Sequence, residues 1–267
     1  MPRKTALVTG ASHGIGQAIA ITLANNGYDV GVNYCNNADG AEETCRLARQ
    51  AGAKAVALRA DVGDYQALCG LFDAFFAKFG AIDLMVNNAG VSEFHPLLEV
   101  TEEQWERVTR IDWKAAYFGT QLAARNMAAN GTAGVIVNIV SNHVDGCFPD
   151  ANIYAPSKAA VDTFCRNAAM ELAPYHIRVL ALAPGYTDVW APDNPIQAVR
   201  ERIPLGRFAT PQEVANILLF LASDQCSYMT GTRVTVDGGA LLPVVPENTM
   251  TGGALLPLVI HETEGKQ

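Results

Sequence analysis

The sequence contains no apolar run approaching the ~18 residues of a membrane-spanning helix. Its first apolar stretch, Thr5–Val8, meets Gly10 and is too short for the core of an export signal. Positive charge is scarce. Nineteen Lys and Arg stand against 27 Asp and Glu, a net charge of -8 at pH 7. A field of that sign repels phosphate backbones, and no local basic patch offsets it, so nucleic acid is not an expected partner. None of the six cysteines (Cys35, Cys45, Cys69, Cys147, Cys165 and Cys226) forms a C-x-x-C pair or has metal-ligand spacing. They read as reduced thiols, several of them buried, and no metal is expected. Charged residues make up only 17% of the chain and hydrophobic ones 49%, which excludes wholesale disorder. The expectation is a cytoplasmic globular protein with no membrane partner.

What the sequence does have is a rhythm. Short apolar runs recur at Thr5–Val8, Val30–Asn33, Ala55–Arg59, Leu84–Asn87, Val135–Val140, Arg178–Leu182 and Arg233–Val236. Most are rich in Val, Ile or Leu and several end at Gly, Asn or Asp, as buried parallel strands do. Stretches with helical spacing lie between them. Ile15, Ile19 and Leu23 recur every four residues, and Val214, Ile217, Leu218 and Leu221 share one face. The alternation predicts an α/β fold: one doubly wound, Rossmann-like domain with a central parallel sheet and helices on both faces. Right-handed crossovers then place a crevice at the carboxyl ends of the strands.

No linker interrupts this pattern, so residues 1–243 are expected to form a single domain holding both cofactor and substrate. Residues 244–267 depart from it. Gly238-Gly239-Ala240-Leu241-Leu242-Pro243 nearly repeats as Gly252-Gly253-Ala254-Leu255-Leu256-Pro257, and the prolines exclude a regular helix. An apolar tail either lies on its own subunit or forms an arm on a neighbour.

The first strand ends in Thr9-Gly10-Ala11-Ser12-His13-Gly14-Ile15-Gly16, and a helical pattern follows at once. Glycines let backbone N–H groups approach a pyrophosphate, and the helix N-terminus faces its charge. The spacing is G-x-x-x-G-x-G, in the strand-to-helix context that dinucleotide binding requires; a tight turn without a ligand is the bland alternative. The second strand ends at Tyr34-Cys35-Asn36 with no carboxylate to repel a 2′-phosphate. NADP is therefore preferred, with NAD possible, although no Arg or Lys replaces the carboxylate and the nearest cationic candidate is His13, which could equally be an exposed loop histidine. Asp61, followed by Val62, ends the third strand and suits either an adenine contact or a helix cap.

Tyr154 and Lys158 stand four apart, on one face of a predicted helix. A phenol titrates near ~10, and a neighbouring ammonium favours its ionised form, so such a Tyr can take an alcohol proton. Any helix can also carry such a pair on its surface. Ser141 follows the fifth strand, where a hydroxyl falls into the crevice; it could equally be a turn residue.

Taken in order, Thr9-Gly10…Gly14-Ile15-Gly16, Asp61-Val62, Asn87-Asn88-Ala89-Gly90, Ser141, Tyr154 with Lys158, Pro184-Gly185 and Val236-Asp237-Gly238-Gly239 resemble the short-chain dehydrogenase/reductase family over nearly the whole chain. The resemblance implies that Tyr154 is the general acid/base. Lys158 would lower its pKa and bind the nicotinamide ribose. Ser141 would polarise the substrate oxygen, and Asn88, Ala89 and Gly90 would line the adenosine-ribose side. Pro184, Gly185 and Thr187 would border the nicotinamide. It further implies a homo-oligomer, more often a tetramer than a dimer. Where the family usually carries Asn on the helix after the fourth strand, this chain has Asp112, which is acceptor-only when ionised.

The segments expected to form the substrate pocket mix aromatics (Phe94, Phe148, Trp190) with polar groups (Glu93, Asn142, His143). A polar lining that includes Glu93, His143, Ser141 and Tyr154, with Trp190 as a wall, suggests a small-molecule substrate such as a sugar, polyol or hydroxy-ketone. Arg200, Arg202 and Arg207 in the lid keep a 3-oxoacyl-thioester reductase open, and a bulky apolar ketone such as a steroid is a third possibility. A non-catalytic dinucleotide sensor on the same fold is the alternative of another class.

Overall fold

The seven predicted strands are all present and form one parallel sheet in the order β3-β2-β1-β4-β5-β6-β7. They are β1 (Lys4–Val8), β2 (Tyr28–Tyr34), β3 (Ala55–Arg59), β4 (Leu84–Asn87), β5 (Val135–Ile139), β6 (Arg178–Pro184) and β7 (Arg233–Val236). The helices are α1 (Gly14–Asn25), α2 (Ala38–Gln50), α3 (Tyr65–Phe79), α4 (Glu102–Thr109), α5 (Ala115–Asn130), α6 (Tyr154–Leu172) and α7 (Pro211–Ala222). The computed structural model describes residues 3–191 and 193–242. The expected domain end at 243 and the 244–267 tail lie outside the described residues.

The sheet has a core on each face because alternate strand residues point opposite ways. Ala6 and Val8 of β1 join Ile19 and Leu23 of α1, Cys45 of α2 and Val214, Leu218 and Leu221 of α7 on one side. Leu7 joins Phe72 and Phe75 of α3, Met127 of α5 and Val161 of α6 on the other. Burial on both faces is why the strands read as continuous apolar runs. Phe72 is almost fully buried, so truncating it to Ala would cost about 3–5 kcal/mol.

Strand β1 lies between β2 and β4, so the sheet grows in opposite directions from it. That reversal opens the crevice at the carboxyl ends of β1 and β4. Between α4 and α5 the chain makes a π-helical turn, Arg110–Lys114, whose i→i+5 spacing rotates Asp112 into the protein. Cys45, Cys165 and Cys226 are buried and all six cysteines are free thiols. No helix among the described residues is long and apolar enough to cross a membrane.

Candidate active site

The loop from β1 into α1 is pressed against the end of β4. Gly10 and Gly14 have φ of +61° and +57°, the left-handed region that glycine tolerates best. A Cβ on Gly10 would stand 2.9 Å from Ala89 Cα, and one on Gly16 would meet the Gly10 carbonyl and stand 2.5 Å from Asn88 Nδ2. Asn88 Nδ2 donates to the carbonyls of Thr9 (2.8 Å) and Gly10 (3.2 Å). Thr9 Oγ1 accepts from Asn88 N and Ala89 N, each at 3.0 Å. Asn33, at the end of β2, accepts from Gly10 N at 3.2 Å and donates to the carbonyls of Leu58 and Ala60. Asn33 was not anticipated as a site residue, and Thr9 was given no role of its own within the loop motif. Their signal is a polar side chain at or just past the carboxyl end of an otherwise apolar strand.

This cradle fits a pyrophosphate. No side chain caps the first turn of α1, and that turn carries no acidic residue. Its N–H groups are therefore available to an anion, and only glycine leaves the backbone that close. His13 does not face the main cavity. Its Nδ1 lies 3.1 Å from the buried Ser12 Oγ, in a surface recess with Gln17 and Thr210.

A cation is present beside Tyr34 after all. Arg59 ends β3 directly opposite Tyr34, is exposed, and its Nε donates to the Cys35 carbonyl at 3.3 Å. Sequence distance hid it, because the two residues meet only through the β2–β3 pairing. Asp61 accepts from Gly63 N (2.9 Å) and from Arg110 Nη1 (2.9 Å). Burial raises its pKa, but these bonds outweigh that and hold it below the usual carboxylate value. The cap of α3 is Asp64, not Asp61. Val62 is buried beneath.

Ser141 follows β5 and caps a short 3-10 turn, Asn142–Val144, so its Oγ is buried at the crevice. Tyr154 begins α6, and Lys158 lies one turn on, its Nζ 5.7 Å from the Tyr154 ring centre. Lys158 Nζ also donates to the Ile139 carbonyl at 3.2 Å and lies 2.9 Å from Asp112 Oδ1. Asp112 Oδ2 accepts from Val91 N at 3.0 Å. Burial opposes the charge on Lys158, but Asp112 and Tyr154 outweigh it and hold its pKa above the ordinary lysine value. Gly90 closes over this pair, since a Cβ there would lie 2.7 Å from Asp112 Oδ1 and 3.0 Å from Lys158 Nζ.

These groups share one cavity of about 360 Å³. Ile15, Asn88, Gly90, Asp112, Ser141, His143, Tyr154, Lys158, Pro184, Gly185, Thr187 and Trp190 all line it. Gly10, Ser12, His13, Gly14, Gly16, Tyr34, Asp61, Val62 and Ala89 lie outside its walls, along the adjoining edge of the sheet. Glu93 is a correction to the expected substrate lining. It does not line the cavity, and its carboxylate is paired with Arg107 at 2.9 Å. Phe94 takes its place. The Phe94 loop is tied down by Asn152 Nδ2, which donates to the His95 carbonyl at 2.6 Å, and by His95 N, which donates to the Asp150 carbonyl at 2.8 Å.

His143 stacks on Phe148 (centroids 3.6 Å apart, 18°) and meets the Tyr154 ring edge-on at 5.4 Å. Burial pushes its pKa down to about 4, so the ring is neutral at physiological pH. The lid segment folds as a 3-10 helix, Pro195–Arg202. Two of its arginines are committed within the chain: Arg200 to Asp188 (3.0 Å) and to the Phe208 ring, and Arg207 to Glu213 (2.6 Å). Among the described residues no group of three or more His, Cys, Asp or Glu is gathered as a metal site would need.

Comparison with known proteins agrees with this geometry. Residues 10–240 match the family model described as enoyl-(acyl carrier protein) reductase. The chain is 39% identical to 3β-hydroxysteroid dehydrogenase 1 of Eggerthella lenta, over 90% of this chain and 94% of that protein. It is 38% identical to L-rhamnose 1-dehydrogenase (NAD(P)+) of a Sphingomonas species, over 88% and 95%. The crystal structure of acetoin dehydrogenase from Salmonella typhimurium superposes with a TM-score of 0.86 at 32% identity, over 91% of this chain and 98% of that one. With its Rossmann-like sheet, its glycine cradle and relatives that are dehydrogenases over almost their full length, the chain belongs to the short-chain dehydrogenase/reductase family and is an NAD(P)-dependent oxidoreductase acting on CH–OH groups.

Proposed function

We propose that this enzyme interconverts a secondary alcohol and a ketone on a small polar molecule, a sugar, polyol or hydroxy-ketone, and that it prefers NADP(H) to NAD(H). The observation that carries the reading is the shared cavity. Ser141, Tyr154 and Lys158 line it together, Asn142 and His143 add polar groups, and Phe94, Phe148 and Trp190 wall it. Polar groups there can satisfy neighbouring hydroxyls, while flat aromatic walls suit the C–H faces of a ring.

When bound, the nicotinamide cofactor supplies the site that accepts or donates hydride. Gly10, Gly14 and Gly16 with the N-terminus of α1 would hold its pyrophosphate, and Ile15, Pro184, Gly185 and Thr187 its nicotinamide end. Ser12, His13, Tyr34, Asp61, Val62, Asn88, Ala89 and Gly90 border the adenosine and ribose side. The absence of a carboxylate after β2, with Arg59 paired opposite Tyr34, supports NADP(H). Tyr154 takes the proton from the substrate hydroxyl during oxidation and returns it during reduction. Lys158 places a positive charge beside the Tyr154 ring, Asp112 keeps Lys158 charged, and Ser141 donates to the substrate oxygen.

A 3-oxoacyl-thioester substrate loses support because Arg200 and Arg207 are paired within the chain. A homo-oligomer, of four subunits in our reading, is supported by exposed Trp105, Tyr117 and Phe220; light scattering measures it directly. The test of function is a panel of sugars, polyols and hydroxy-ketones assayed beside a 3-oxoacyl thioester and a steroid. Turnover of the polar panel is expected, with a loss of about 10²–10⁴-fold in Tyr154→Phe while cofactor binding is retained. Turnover of the thioester or steroid alone would replace this reading.

A further inference from the structure

Among the described residues, Ser141 Oγ meets two groups of one residue. His143 N donates to it at 3.3 Å, and His143 Nδ1 lies 3.0 Å away. A serine hydroxyl has one O–H and two lone pairs. The backbone N–H occupies one lone pair, so the imidazole tautomer decides what is left. With the proton on Nδ1, the ring donates into the second lone pair, and the O–H becomes the one remaining valence of Ser141. With the proton on Nε2, Nδ1 accepts the serine hydrogen and Ser141 keeps only a lone pair. A carbonyl oxygen gathering negative charge needs a donor. Only the first arrangement supplies one.

We infer that His143 is a positioning residue: in the Nδ1–H tautomer it makes Ser141 a dedicated hydrogen-bond donor to the reacting substrate oxygen. The inference deepens the role proposed above for Ser141 and rests on it. It also reassigns His143, which acts through Ser141 instead of gripping the substrate. The ring is held for this task. Phe148 stacks on it at 3.6 Å, Phe94 lies near-parallel at 5.9 Å, and the Tyr154 ring stands perpendicular at 5.4 Å. Serine is equally constrained, since it is buried and its extended backbone (φ -156°) begins the turn that carries His143. Burial keeps the imidazole neutral, so a single proton is shared between its two nitrogens and its placement matters.

The first experiment needs no substrate. Protein labelled with ¹⁵N-histidine is examined by long-range ¹H–¹⁵N correlation at pH 7.5, and His143 is assigned by the signal lost in His143→Phe or His143→Gln. Protonation at Nδ1 is expected; protonation at Nε2 overturns the inference. The second is a double-mutant cycle on a secondary alcohol that the wild type oxidises. His143→Phe keeps an aromatic ring but no N–H, and should lower kcat about 10–100-fold while KM moves by less than about twofold. In a Ser141→Ala background the same substitution should cost nothing further. Additive losses, or a change confined to KM, would place His143 on the substrate and overturn the inference. Retained cofactor binding in each variant shows that it is folded. If no alcohol is turned over, the proposed function fails on its own, and the tautomer still decides the role of His143.

Discussion

Asp112 Oδ1 stands 2.9 Å from Lys158 Nζ, with side-chain exposures of 0% and 5%. The pair is therefore a buried ion pair directly behind Tyr154. A carboxylate here supports the ammonium, yet it also cancels part of the positive field that reaches the phenol. The two effects act on different residues, and they can be separated by substitution.

For Asp112→Asn, the charge beside the Tyr154–Lys158 pair changes while the side-chain shape is kept, and the pH–rate profile for alcohol oxidation is expected to shift from that of the wild type. An unchanged profile would remove Asp112 from control of the proton transfer. The same substitution strips a buried cation of its counter-charge and should destabilise the fold by about 3–5 kcal/mol. Lys158 titrates higher folded than unfolded, so its contribution is fully present below the ordinary lysine value of 10.5 and is lost as pH rises through the raised one. The stability gap between wild type and D112N should accordingly narrow only in strongly alkaline buffer.

Gly90→Ala tests the same pair from the other side. The added methyl would sit 2.7 Å from Asp112 Oδ1 and 3.0 Å from Lys158 Nζ, so the ion pair must open or the loop must shift. A misplacement of that size should lower kcat by about 10²-fold. Wild-type activity in a correctly folded variant would mean that the spacing of the pair is not critical.

Arg59→Ala addresses cofactor choice. Its guanidinium is exposed beside Cys35, where it can meet a 2′-phosphate but has nothing comparable to bind in NAD(H). Fluorescence titration at fixed ionic strength should show NADPH binding weakened about tenfold, or ~1.4 kcal/mol, with NADH unaffected. Equal weakening of both would assign Arg59 to adenine or to fold maintenance, and tighter NADH binding by the wild type would reverse the proposed preference.

His143 makes the fold acid-sensitive. The folded ring titrates at about 4 against an ordinary 6.5, because burial disfavours its charge. The unfolded chain therefore binds a proton that the folded one refuses, and stability falls as pH drops from 6.5 towards 4. Urea unfolding at pH 7, 5.5 and 4.5 should show a smaller acid loss in His143→Phe than in wild type. Parallel losses would mean that the imidazole is not shielded as its burial suggests.

Much of this was legible from residue order. The strands were placed to within a few residues because burial on both faces gives a parallel strand an unmistakable apolar run. Tyr154 and Lys158 are four apart on one helix, so local geometry alone put them on the same face. Glu93 shows the limit. Its type and its place beside a pocket loop suggested a substrate ligand, yet Arg107, a helix away in sequence, claims the carboxylate. Arg207, one of the lid arginines that kept an anionic substrate open, is paired instead with Glu213 of its own chain, whose carboxylate also accepts from Thr210 N in the capping box of α7.

The sequence by itself determined the doubly wound sheet, the glycine cradle and the Tyr154–Lys158 pair, because strand periodicity, left-handed glycine turns and helical spacing are local. Only the tertiary structure decided that Arg59 stands beside Tyr34, that a π-helical turn delivers Asp112 to Lys158, and that Ser141 and His143 are clamped together under Phe148. Those relationships depend on strand pairing and on side chains competing for the same partner. Both are settled by packing between distant segments, which no local window of residues contains.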